Sequence, residues 1–201
     1  ITYRESITAE RAYITEGQDS FVVHGTPADC VKFGMLEVMD DPPDFVCSGI
    51  NFGLNVGCNV FYSGTVAAAI EATMYGVTSI AFSSVRDGEA EVDMVARNCV
   101  RTFQMIRDVK NRYPVAFNVN FPGGTDTDGE IAFTDQWDRA FDEHYLSESA
   151  EGSRYMLHLP WEEQDSPSQK CDVTAIKEGL ISITPLRPRL TDAELLDSMK
   201  R

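Results

Sequence analysis

The sequence has 201 residues, of which 43% are hydrophobic and 24% are charged, a composition that is ordinary for a soluble globular enzyme. Its 17 basic and 32 acidic residues give a formal net charge of −15, which argues against broad binding of nucleic acid because such a surface repels a polyanion. No apolar run approaches the ~18 residues that a membrane span requires, which argues against a membrane protein.

The first elements are short strands followed by a capped helix. Residues 11–23 alternate between polar and apolar side chains, which predicts strands or a hairpin. Thr26 is a good N-cap, Pro27 suits the first helical position, and Asp29 falls in the positively polarised first turn. The pattern predicts a helix that begins there and ends near Met39.

Strands and helices then alternate along the chain. The predicted strands are 45–47, 79–83 and 115–121, and the predicted helices are 66–74 and 92–109. Each strand is short, apolar and bounded by glycine or proline, which is typical of a buried strand. Their alternation with helices predicts an α/β fold in which a parallel sheet is covered by helices on both faces.

Residues 123–172 break this pattern because they are polar and have no helical period. They carry four large aromatic residues, Trp137, Tyr145, Tyr155 and Trp161, and are predicted to form hairpins or an extended arm. The segment from about Thr125 to Leu190 is too long for a plain loop in a compact domain, so we expect it to join identical subunits. The alternative is that this arm folds back on its own subunit. A further strand over 180–184 and a capping box at Thr191, which opens a final helix, complete the chain.

The loop from Ser48 to Gly57, which is rich in glycine and asparagine, is the first candidate site. It follows a predicted strand, and ligands of open α/β sheets bind beyond the carboxyl ends of strands. Asn51 and Asn55 could offer amide oxygens, which suit a hard cation such as Mg²⁺ or Mn²⁺. The alternative is that the asparagines and glycines are only turn residues.

Ser63, Gly64 and Thr65 are the second candidate site because they stand directly at a predicted helix start. Their amides and hydroxyls, together with the positive end of the helix dipole, would suit an anion. The alternative is a simple N-cap. Both candidate sites would meet at one edge of the sheet, which favours binding of a small phosphorylated ligand.

The cysteines and histidines offer no competing site. None of the five cysteines forms a CxxC pair, which argues against a zinc site or a disulfide framework and favours reduced thiols in a cytoplasmic protein. The three histidines, His24, His144 and His158, are isolated from any nucleophile motif and are interpreted as surface or satisfied polar residues.

Several motifs, in order and with similar spacing, resemble the signatures of the SurE family of survival-protein-E nucleotidases. They are Gly25-Thr-Pro-Ala-Asp-Cys-Val31, Ser48-Gly-Ile-Asn51, Asn55, Tyr62-Ser-Gly-Thr-Val-Ala-Ala-Ala69, Asn118-Val-Asn120 and Gly179-Leu-Ile-Ser-Ile-Thr-Pro-Leu186. The resemblance covers about residues 20–195. One departure is the run from Lys170 to Val173, which replaces the family's usual Gly-Thr-Asp-Val.

The resemblance implies a Rossmann-like three-layer α/β/α sandwich with a β-hairpin and a swapped C-terminal arm. Residues 1–122 would form the α/β core, and residues 123–201 the arm, strand and helix used to build a homodimer or homotetramer. It also implies divalent-metal-dependent hydrolysis of nucleoside 5′- and 3′-monophosphates, and in some members of short polyphosphate.

The implied ligand set lies only partly in this chain. Asn51 is its counterpart of the family's metal-binding asparagine, and Ser63, Gly64, Thr65 and Asn55 would bind phosphate or substrate. The opening at Ile1 reads as the middle of a domain. The resemblance implies that an aspartate pair, a serine and the catalytic groups stand upstream of it, so we expect residues 1–201 alone to be nearly inactive. The remaining alternatives are a non-catalytic nucleotide-binding module and a broad-specificity acid phosphatase or exopolyphosphatase.

Overall fold

The computed structural model describes residues 1–85, 89–109, 113–123, 129–138, 146–151, 154–158 and 170–200. Its strands are β1 Ala9–Ala12, β2 Ser20–Val23, β3 Val46–Phe52, β4 Ser79–Ser84, β5 Ala116–Phe121, β6 Ile131–Phe133, β7 Leu146–Glu151, β8 Arg154–His158 and β9 Ile181–Leu186. Its α-helices are α1 Pro27–Phe33, α2 Gly64–Met74, α3 Glu89–Arg107, α4 Asp172–Lys177 and α5 Ala193–Met199. A π-helical turn over Gly34–Val38 extends α1, and a 3₁₀ turn over Gly57–Phe61 precedes α2.

Five strands form the central sheet in the order β3-β4-β5-β9-β6. Strands β3, β4 and β5 run parallel, β9 is antiparallel to β5, and β6 is parallel to β9. The predicted α/β class and the parallel pairing of the three alternating strands are confirmed. Strands β6 and β9 lie after residue 122, so this later part of the chain also contributes to the central sheet, and the division of the chain at residue 122 stays a prediction.

Each face of the sheet is covered by a different helix. The α3 face carries large side chains from β4, β5 and β9, which pack with Val95 and Ile106 of α3. The α2 face carries small side chains, Ala81 and Ala116, against Val66 and Ala69 of α2. Small residues on both sides allow α2 to pack closely against the strands.

The start of α1 has the predicted N-cap at Thr26, which also forms a capping box with Asp29. The Thr26 side chain accepts a hydrogen bond from the Asp29 amide, and the Asp29 carboxylate accepts one from the Thr26 amide at 2.8 Å. The same carboxylate accepts bonds from the backbone and hydroxyl of Thr2. Burial opposes the charge of Asp29, but the hydrogen bonds from Thr26 and Thr2 outweigh it and hold the pKa of Asp29 well below its usual range.

Three details differ from the sequence prediction. The chain stays extended as far as Phe52 because Asn51 and Phe52 pair with Ser83 and Ser84 of β4. The cap of α5 is Asp192, not Thr191, because the Asp192 side chain accepts from the Leu195 amide at 2.9 Å. Helix α4 was not predicted, since six residues are too few to show a helical period.

Hairpins are present in both segments where the sequence predicts them. Strands β1 and β2 pair antiparallel, and so do β7 and β8. Tyr145 and Trp161 lie outside the described residues. In the described part of the chain, no helix is both long enough and apolar enough to span a bilayer.

Candidate functional site

The two candidate segments lie at the same edge of the sheet. Strand β3 ends at Phe52, and the following chain returns through α2 to the parallel strand β4. A helix that connects two parallel strands begins at their carboxyl ends. Asn51 at the end of β3 and Ser63 at the start of α2 are therefore on one edge, as the sequence predicts.

Asn51 is partly exposed and is held at one end of its side chain. Its Nδ2 donates to the Gly53 carbonyl at 2.7 Å, and among the described residues no group donates to its Oδ1. The bond to Gly53 fixes the orientation of the side-chain amide, because the Gly53 carbonyl needs a donor and only the Asn51 nitrogen can donate. Asn51 can therefore present a neutral oxygen to a cation.

Gly49 is required for the shape of β3 at this point. Its φ is +112°, and a Cβ there would collide with the Phe82 carbonyl oxygen of the neighbouring strand. Any side chain would push β3 away from β4 just before Asn51. The glycine thus allows the last residues of β3 to lie against β4.

Asn55 is buried and uses its side chain inside the protein. It is 7% exposed, and its Nδ2 donates to Ser83 Oγ at 2.6 Å. Its backbone is bonded to two asparagines of β5, Asn118 and Asn120. These contacts hold Asn55, and with it this part of the loop, against the sheet.

The start of α2 offers free hydrogen-bond donors. Ser63 is the N-cap, and its Oγ accepts from the Val66 amide at 3.1 Å. The amides of Gly64 and Thr65 have no acceptor within the helix because of their position in its first turn. No acidic residue stands in that turn, so these donors and the helix dipole remain available to an anion.

The starts of α1 and α2 pack directly against each other at Gly64. A Cβ on Gly64 would come within 3.0 Å of Pro27 Cγ and 3.2 Å of Pro27 Cδ. Farther along the two helices, Lys32 Nζ bonds Glu71 Oε1 at 2.7 Å and Tyr75 Oη at 3.2 Å. These hydrogen bonds to Glu71 and Tyr75 raise the pKa of Lys32 to about 12.

Asp172 joins α4 to the loop. Its Oδ2 accepts from the Gly57 amide at 2.8 Å, and its Oδ1 accepts from the amides of Trp137 and Val173 at 2.9 Å. Burial raises the pKa of Asp172, although these backbone donors act in the opposite direction. Gln136 Nε2 donates to the Gly57 carbonyl at 2.9 Å, so both backbone groups of Gly57 are bonded to side chains.

Among the described residues, no three His, Cys, Asp or Glu side chains are grouped in a way that could hold a metal ion. All five cysteines are free thiols. His24 lies near Glu10 on the β1–β2 hairpin, with 3.6 Å between Nε2 and Oε1, whereas His144 lies outside the described residues.

Two groups of residues near the site were not assigned a role from the sequence. Asn118 and Asn120 belong to a recognisable motif, but their hydrogen bonds to Asn55 join residues that are 63 to 65 positions apart in the sequence. Phe61 and Tyr62 directly precede Ser63 and are 62% and 84% exposed. The sequence does show two adjacent aromatic residues directly before a predicted helix start, and this pattern could have indicated them as candidate site residues.

Comparisons with known proteins agree on one family. The chain matches the family described as Survival protein SurE over residues 1–143. It is 36% identical over 206 residues to the 5′-nucleotidase SurE of Rhodopirellula baltica, covering 100% of this chain and 80% of that protein. It is also 36% identical to the 5′-nucleotidase SurE of Fervidobacterium nodosum, covering 100% of this chain and 79% of that one. The crystal structure of the SurE protein from Aquifex aeolicus superposes with a TM-score of 0.83 at 30% identity, over 100% of this chain and 81% of that chain.

Proposed function

The chain belongs to the SurE family, and we propose that it acts in the hydrolysis of nucleoside 5′-monophosphates to nucleoside and phosphate. The relatives that match over its whole length are 5′-nucleotidases. The observation that carries the proposal onto this chain is the open start of α2, with free amides and no acidic residue in its first turn. Hydrolysis of 3′-monophosphates and of short polyphosphate is part of the proposal.

Ser63, Gly64 and Thr65 would bind the phosphoryl group. The Gly64 and Thr65 amides and the Thr65 hydroxyl are donors, and Ser63 Oγ keeps its own proton for donation while it accepts from Val66. A net charge of −15 works against anion binding at long range. However, salt screens that field within about 8–10 Å, whereas the helix start acts at contact distance.

Asn51 would supply one ligand to a divalent cation, Mg²⁺ or Mn²⁺. An amide oxygen suits such an ion, and the bond from Asn51 Nδ2 to Gly53 keeps the oxygen free. One neutral oxygen cannot hold a divalent ion alone, so further oxygen ligands must complete the site. A bound cation would supply an activated water and would offset charge on the phosphoryl oxygens.

Asn55 stays a predicted substrate-binding residue. One N–H of its Nδ2 is committed to Ser83, so any contact with substrate would use its Oδ1 or its second N–H. Phe61 and Tyr62 could contribute to the nucleoside half of the site, because their exposed rings offer a face on which a base can stack.

Substrate comparison separates the proposal from its alternatives. The complete gene product should be assayed with AMP, an aryl phosphate and tripolyphosphate, at equal metal concentration. We expect the highest kcat/KM for AMP. Faster turnover of the aryl phosphate would indicate a broad-specificity phosphatase, and faster turnover of tripolyphosphate would indicate an exopolyphosphatase. Tight binding of AMP without turnover would indicate a non-catalytic binding module.

Assembly and location are also proposals. The Thr125–Leu190 segment, with its aromatic residues, supports a homodimer or homotetramer built by exchange of an arm. Sedimentation velocity at micromolar concentration should give a dimer or tetramer, and a monomer would contradict the idea. Five free cysteines support a cytoplasmic location, because reduced thiols are typical of that compartment.

A further inference from the structure

Two buried asparagines in β5 need an explanation beyond folding. Asn118 and Asn120 are 0% exposed in a strand whose other residues are apolar and buried. Asparagine is depleted from strands, and a buried amide costs free energy unless all of its polar atoms are bonded. Asn118 Oδ1 is buried with no partner among the described residues. Asn118 therefore lowers the free energy of unfolding, and stability alone does not explain its presence.

Both side chains bind the backbone of one loop residue, Asn55. Asn120 Oδ1 accepts from the Asn55 amide at 2.8 Å, and Asn120 Nδ2 donates to the Asn55 carbonyl at 3.3 Å. Asn118 Nδ2 donates to the same carbonyl at 2.8 Å. The two asparagine side chains thus take the place of the backbone hydrogen bonds that a neighbouring strand would make with Asn55.

The next fixed point of the loop is Gly57, two residues later. Asp172 accepts from its amide and Gln136 donates to its carbonyl. Asn55 and Gly57 are both buried, with Val56 between them at 4% exposure. The loop between Asn51 and Ser63 is therefore held by side chains from β5, α4 and residue 136.

We propose that Asn118 and Asn120 are positioning residues that act through Asn55. They fix the loop 53–62 against the sheet, and this sets Asn51 and the start of α2 in the arrangement that binds the phosphoryl group. The inference rests on the proposed function, because that function assigns the phosphate site to Ser63, Gly64 and Thr65.

Asn118→Ala is the sharper variant. It removes one donor to the Asn55 carbonyl, which keeps the bond from Asn120, and it also removes the unpartnered Oδ1. Loss of the hydrogen bond destabilises the protein and removal of the unpartnered oxygen stabilises it, so the free energy of unfolding should change little. Asn98→Ala is the matched control, because Asn98 is 1% exposed and lies in α3 on the opposite face of the sheet.

The test measures affinity for inorganic phosphate by calorimetry and amide hydrogen exchange by mass spectrometry, on the complete gene product. For Asn118→Ala we expect a roughly two- to tenfold weaker phosphate affinity, the equivalent of one net hydrogen bond. Exchange should be faster in peptides covering 53–62 and unchanged in those from α3 and β9. Asn98→Ala should bind phosphate like the wild type.

Three results would overturn the inference in distinguishable ways. Unchanged affinity and unchanged exchange over 53–62 would show that Asn118 does not fix the loop. Faster exchange throughout the sheet would show a merely structural role. A wild-type protein that binds neither phosphate nor AMP would overturn the proposed function itself, and the inference with it.

Discussion

Ser63→Ala should separate phosphate binding from helix stability when it is compared with Ser79→Ala. Both serines make one hydrogen bond to α2. Ser63 Oγ accepts from the Val66 amide at 3.1 Å at the start of the helix. Ser79 Oγ donates to the Ala69 carbonyl at 2.6 Å from the first residue of β4, which is the opposite edge of the sheet.

The two variants should lose similar stability. Removal of an N-cap costs about 1 kcal/mol, and removal of one intramolecular hydrogen bond costs about 0.5–1.5 kcal/mol. For a chain of this size, about 1 kcal/mol lowers Tm by roughly 2–4 °C. A difference in ligand binding between the variants therefore cannot be attributed to stability.

Their phosphate affinity should differ. A hydrogen bond to a charged group contributes about 1.5–3 kcal/mol, which corresponds to roughly 10- to 150-fold in Kd or KM. Ser63→Ala should weaken inorganic phosphate and raise KM for AMP by that factor, whereas Ser79→Ala should leave both unchanged. Calorimetry gives Kd, and phosphate release by the complete gene product gives KM.

Wild-type phosphate affinity in both variants would refute the assignment of Ser63. In that case, the serine would be only an N-cap, as the alternative interpretation of the sequence holds. Equal loss in both would show that phosphate affinity follows the stability of α2.

Three further outcomes are expected. Asn51→Ala should raise the metal concentration needed for half-maximal turnover of AMP by at least about tenfold without lowering Tm; wild-type activity at limiting metal would contradict its role. Gly49→Ala should destabilise by about 2 kcal/mol or more, because its φ of +112° and the Phe82 carbonyl oppose a side chain. The control Gly34→Ala, at a helical φ of −57° and with no neighbour within 4 Å, should stabilise by about 0.4–1 kcal/mol in urea unfolding. The lowered pKa of Asp29 means that its stabilising contribution is complete above its ordinary pKa of 3.8 and is lost as the pH falls through the lower folded value. Asp29→Asn should therefore be less stable than wild type at pH 6, with a gap that narrows on acidification below pH 3.8, and a gap independent of pH would contradict this.

Local patterns predicted the parts of the fold that depend on neighbouring residues. Thr26 and Asp29 form a capping box three residues apart, and the start of α2 follows from Ser63 and the alanines after it. Strands β4 and β5 were predicted because their short apolar runs are bounded by glycine and proline. These features need no information about distant contacts.

Contacts distant in sequence decided the rest. The extension of β3 to Phe52 depends on pairing with Ser84, 32 residues later. The burial of Asn55 depends on Asn120, and the fixing of Gly57 depends on Asp172, 115 residues away. Periodicity and motif spacing do not show which side chain a distant strand or helix brings to a loop.

Phosphate release from AMP by the complete gene product, before and after removal of divalent cations, tests the central claim most directly. The account predicts turnover that chelation abolishes and that added Mg²⁺ or Mn²⁺ restores, with a KM raised by Ser63→Ala and a higher metal requirement in Asn51→Ala. A purified protein that binds AMP but releases no phosphate at any concentration of either metal would contradict it.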